Sequence, residues 1–91
     1  MIRRIVRYVA ADRALARACI ADLEDARYTE ADESPEYAAA HERFCVAEDA
    51  LSPREYVVAE WITERVSKRL WVRIFDFEDE LERREIWRGE L

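Results

Sequence analysis

Apolar residues recur along the first third of the chain at Ile2, Ile5, Val9, Ala16, Ile20 and Leu23. Spacings near three, four and seven put them on one face of a helix. Arg13 and Arg27 intrude on that face, and Ala11-Asp12 offers a break at which Asp12 would cap a second helix. The pattern predicts a helical segment over about residues 2–30, followed by an acidic loop, Thr29–Ser34. A second stripe, Tyr37, Ala40, Phe44, Ala47 and Leu51, predicts a helix over about 35–50. In the last segment, about 53–88, Val58, Ile62, Val66, Leu70, Ile74, Phe77 and Leu81 follow at steps of mostly four. A second apolar line there, Val57, Trp61, Trp71, Val72 and Phe75, lies on a different side. A helix apolar on two sides touches two surfaces. The rest of the chain is too small to wrap it, so the second side is a candidate contact surface.

Punctuation supports these divisions. Ser34-Pro35-Glu36 and Ser52-Pro53-Arg54-Glu55 have serine placed to cap a first turn and proline at the first helical position. The second also has capping-box spacing. Gly89 is the only glycine, which leaves little material for tight hairpins. The expectation is a single all-α domain over 1–91, a three-helix antiparallel arrangement with a long third helix. Its rival is a small α+β fold with strands near 2–9 and 70–77, where β-branched and aromatic residues concentrate. Straight helices in the first and third segments would be about 40–50 Å long, against about 24 Å for the second. The excess must break, near Ala11 and Ser67, or be covered by a second subunit in a homodimer.

The net charge of −6 is strongly segmented. Residues 1–20 carry five arginines against Asp12, and residues 21–64 carry 13 acids against three arginines. Arg65, Lys68, Arg69 and Arg73 form a second basic block, and seven acids dominate residues 74–91. An acidic total disfavours direct binding to nucleic-acid phosphates and suits a protein partner with a basic surface. Fourteen of the 15 basic residues are arginine, the side chain better suited to carboxylate pairing. Two cysteines make no disulfide framework. Arg7 interrupts the short apolar run Ile5–Ala11, and no stretch approaches a membrane span, so a cytoplasmic location is expected.

Little here points to chemistry. His41 and Cys45 are spaced i, i+4, and a hairpin turning near Asp32–Glu33 would place Cys19 opposite Cys45. Cys19, His41 and Cys45 are therefore the metal-binding alternative, with zinc the plausible ion. Buried cysteine packed as a small hydrophobe is the stronger account, since no Cys-x-x-Cys is present and His41 is the only histidine. No nucleophile stands beside a base outside the Cys45–His41 pair, so neither enzymatic activity nor a cofactor is expected. The carboxylate clusters at 22–25, 32–36 and 76–80 read as solvated helix faces, or as the acidic patches of a phage-type inhibitor that mimics DNA. The function expected first is protein binding as an inhibitor or adaptor. Trp61, Trp71, Phe75 and Trp87 would be its anchors, with Arg69 and Arg73 as polar partners, since tryptophan and arginine dominate interface hot spots.

Overall fold

The computed structural model describes residues 2–25 and 34–90, with the side chains of 81 and 84–90 outside the description. Every described element is a helix: α1 (Ile2–Glu24), α2 (Pro35–Asp49), α3 (Pro53–Val66) and α4 (Lys68–Glu90). The described residues are therefore all-α, but they form four helices where three were expected. None of the described helices is long and apolar enough to cross a membrane. The expected first helix closes at Glu24, and the acidic loop lies mostly outside the described residues.

Both serine-proline starts cap helices. Ser34 Oγ accepts from the Tyr37 N–H at 3.1 Å. At α3 the Glu55 N–H donates to Ser52 Oγ at 3.3 Å, and the Ser52 N–H donates to Glu55 Oε1 at 3.0 Å, closing a capping box. Glu55 is buried, and its second oxygen lies 3.3 Å from Arg4 Nε on α1. One cap thus also fixes where α3 meets α1.

α1 is the element on which the others pack. Its buried residues are Ile5, Tyr8, Asp12, Leu15, Ala16 and Ile20. α2 returns antiparallel to it, because the Ser34 N–H donates to Asp22 and Phe44 packs against Tyr8 with ring centroids 5.3 Å apart and planes tilted by 42°. α3 and α4 run parallel to α1, from Glu55 beside Arg4 to Ile74 beside Ala16 and Ile20. Two apolar clusters result. Ile5, Tyr8 and Ala59 form one, closed by Phe44, Ala47, Leu51, Tyr56 and Ile62. Ala16, Ile20 and Ile74 form the other, with Cys19, Leu23, Leu70 and Trp71 around them.

The α+β alternative fails on periodicity. Residues 2–9 and 70–77 are both helical. Across 70–77, Ile74 is buried and Leu70, Trp71 and Phe77 are half-buried, whereas Val72, Arg73 and Phe75 are exposed. That is a period near 3.6, and burial on this face overrides strand propensity. No break occurs at Ala11; Asp12 is buried in mid-helix. The break falls at Ser67, one of the two anticipated points. Ser67 has φ −104° and ψ 2°. Its N–H donates to the Thr63 carbonyl at 2.8 Å, and its own carbonyl accepts from Leu70 and Trp71. It closes one helix and opens the next.

A geometric conflict explains the bend. Steps of four advance about 400° around a helix, so an i, i+4 row drifts by about 40° per step. The row from Val58 to Ile74 cannot stay on α1 along a straight rod. Val58 and Val66 accordingly end exposed, while Ala59, Ile62 and Thr63 face inward. The bend at Ser67 brings Leu70 and Ile74 back onto α1. Ala16, Ala59 and Ser67 have no exposed surface at all, and such small side chains let the helices approach closely.

The molecule measures 54 × 25 × 17 Å, with a radius of gyration of 15.4 Å. A compact chain of this length has a radius near 12 Å. Its accessible surface is 7354 Å², against about 5,500 Å² for a typical monomer of this mass.

Two predictions concern stability. Ser52→Ala removes the capping box and lowers unfolding free energy by about 1 kcal/mol, measured by urea denaturation. Hydrogen bonding from the Ser52 backbone, then from its hydroxyl, with help from Arg4, holds the Glu55 carboxyl below its usual pKa despite burial. A lowered folded pKa stabilises the protein above the unfolded value of about 4.3, and this contribution disappears as pH falls through the folded value. Denaturation between neutral pH and pH about 3 should show that loss in the wild type and less of it in Glu55→Gln.

Candidate protein-binding interface

A concave surface spans the α3–α4 junction. Glu64, Arg65, Lys68, Trp71, Val72 and Phe75 line this cleft of about 730 Å³. Successive helical turns supply them: Glu64 and Arg65 from the end of α3, Lys68 and Trp71 from the start of α4, and Val72 and Phe75 one turn further. Phe75 is 59% exposed, and Val72 is also exposed. The floor is apolar and aromatic and the rim is charged. That division suits a protein partner, whose apolar anchor enters while polar groups meet the rim.

Trp71 connects the cleft to the core. One side of it packs on Ala16, Ile20 and Ile74. Its indole N–H donates to the buried Asp12 carboxylate at 3.4 Å. The ring is therefore fixed by α1 and presents only part of its surface to the cleft. Arg65 carries the surface towards α3. Its guanidinium lies 3.7 Å from the centroid of Trp61 and donates to the Trp61 carbonyl at 2.8 Å. Cation–π contact and hydrogen bond together hold a tryptophan that is 57% exposed.

The expected anchors divide. Trp71 and Phe75 meet in the cleft, and Trp61 stands beside it through Arg65. Arg73 turns the other way, pairing with Glu24 on α1 and lying 5.8 Å from the centroid of Phe77. Arg69 is exposed but does not line the cleft. The side chain of Trp87 lies outside the described residues. The cleft's cations are Arg65 and Lys68, which helical spacing from Trp61 and Trp71 could have identified: i, i+4 for Arg65, and i, i−3 for Lys68.

The metal alternative loses its geometry. The contacts of Asp22 with Ser34 and of Tyr8 with Phe44 set a register of α1 against α2 in which Cys19 does not face Cys45. Cys45 consequently lies on an exposed face of α2 near the level of Tyr8, while Cys19 packs against the α4 cluster. Cys45 Sγ is 3.9 Å from His41 Nδ1. Among the described residues no group of three His, Cys, Asp or Glu side chains converges on a metal position. Burial, then the nearby Glu78 and Asp22, pushes the Cys19 thiol above its usual pKa, the wrong direction for a nucleophile or ligand. Burial likewise raises Tyr8, with Tyr56 and Asp12 adding to it.

Trp71→Phe removes the donor to a buried carboxylate and should cost about 1–3 kcal/mol in urea denaturation. Phe75→Ala, on the exposed side of the same turn, should change stability by no more than about 0.5 kcal/mol. Equal losses would mean that Phe75 belongs to the core.

No protein-family model matches this chain, and no curated protein or solved structure matches it.

Proposed function

We propose that this chain is a protein-binding module, an inhibitor or adaptor of the cytoplasm, whose working face is the cleft at the α3–α4 bend. The bent rod serves as the long third element of an antiparallel helical arrangement. One observation carries the reading: Phe75 and Val72, both exposed, line a single concavity backed by a core-anchored Trp71, and Arg65 of its rim holds the exposed Trp61 beside it. Partly exposed aromatic anchors cost little entropy to order, and a rigid backing preorganises them. Arg65 and Lys68 at the rim favour a partner segment with an apolar anchor flanked by acid.

A second reading rests on the exposed carboxylates of Asp76, Glu78, Asp79 and Glu82 on α4. They suit a phage-type inhibitor offering acidic patches to a nucleic-acid-binding host complex. The two readings respond differently to salt, because screening weakens an exposed charge surface far more than an apolar anchor.

Affinity capture from the native host followed by titration with purified partner separates them. Phe75→Glu and Trp61→Ala should each weaken the captured complex by about 2 kcal/mol, roughly thirtyfold, with helical content unchanged. Loss of binding on raising salt, with both variants as tight as wild type, would favour the acidic surface instead.

A further inference from the structure

A second unpartnered surface lies on α1. Ile5, Val6, Val9, Ala10, Arg13, Ala14 and Arg17 line an open groove of about 430 Å³, with Ile62 of α3 as its far wall. α2 packs elsewhere on α1, so this groove has two helical walls and no occupant. Its floor is apolar and its upper end carries two arginines. Arg13 is half-buried, and its Nε is buried with no hydrogen-bond partner. A buried guanidinium donor without an acceptor calls for an incoming carboxylate.

The chain itself carries a segment of matching chemistry and length. Ile74 is level with Ala16 and Ile20 and Arg73 pairs with Glu24, so α1 ends near the level of residue 78. Residues 79–90 of α4 continue past that end, over about 17 Å at 1.5 Å per residue. The groove, from Ile5 to Arg17, is about 18 Å long on the same rise. Asp79, Glu80 and Glu82 on the overhang are exposed, and its sequence adds Leu81, Ile86 and Trp87 as apolar content. Groove-to-groove pairing would oppose arginines with arginines; overhang-to-groove pairing opposes them with a segment that carries five acids against Arg83, Arg84 and Arg88, three of the acids within 79–82.

We infer that the protein forms a two-fold dimer in which residues 79–90 of each α4 lie in the α1–α3 groove of the other copy. The exchange is isologous and closes after two subunits. The surface excess over a typical monomer, roughly 1,800 Å², exceeds the roughly 800 Å² that each partner buries in a standard interface. This surface is separate from the α3–α4 cleft, which the dimer leaves open.

Sedimentation equilibrium of the full chain, from low micromolar to millimolar concentration, tests the inference. The wild type should be a dimer, with dissociation promoted by salt. Arg17→Glu alters an exposed side chain and should weaken the dimer by about tenfold or more. Deleting residues 79–90 should give a monomer. Ala10→Glu blocks the groove without touching the core, and mixing it with the truncated chain should restore a heterodimer, since each supplies what the other lacks. Circular dichroism shows whether the variants remain helical. A wild type that stays monomeric at millimolar concentration would overturn the inference. So would a dimer unmoved by Arg17→Glu and by truncation, or one broken by Phe75→Glu instead.

Discussion

One face of α1, from Ile5 to Ile20, has to be shared between an antiparallel neighbour and a parallel one. Its lower half holds the aromatic cluster around Tyr8, where Phe44 of α2 and Tyr56 of α3 converge. Its upper half holds Ala16 and Ile20, against which Ile74 of α4 is buried. Between them Asp12 is a buried acid in mid-helix, and the indole of Trp71 reaches it from across the bend. A carboxylate in such a place destabilises the fold unless a donor meets it. The tryptophan supplies that donor and closes the second cluster with the same ring. The position of α4 therefore depends on a polar contact as much as on burial.

That constraint determines which apolar residues remain outside. A straight rod along α1 would carry its i, i+4 row off the surface, so the backbone yields at Ser67. The bend returns Leu70 and Ile74 to α1 and leaves Val72 and Phe75 exposed. The exposed aromatic face thus follows from the packing of the core. It arises because a parallel α1 of 23 residues cannot cover a rod made of helices of 14 and 23. The groove beside Arg13 has the same origin, since three helical passes leave one side of α1 without a neighbour.

Several features were legible in the residues. The two serine-proline starts are local chemistry, and both caps form as their spacing implies. The α2 stripe from Tyr37 to Leu51 faces inward throughout, because a short helix with one neighbour obeys simple periodicity. The position of the helical break was half legible: rod length demanded one, and Ser67 was one of two anticipated points. Other features depended on long-range contacts. The hairpin register, and with it the separation of Cys19 from Cys45, is fixed by Tyr8 meeting Phe44. The rotation of α3 that buries Ala59 in place of Val58 goes with its packing against Ile5 and Tyr8 of α1. Arg73 read as part of the exposed aromatic face because its partner, Glu24, lies 49 positions away.

α3 and α4 are separate helices, pinned to α1 through Trp71 at the bend. Nuclear magnetic resonance of the labelled protein tests this directly. Such an arrangement gives helical carbon shifts on both sides of Ser67 with an interruption at that residue, and cross-peaks from the Trp71 indole to Asp12 and Ala16. Uninterrupted helical shifts through Ser67, with an indole of Trp71 that shows no contact to α1, would contradict it.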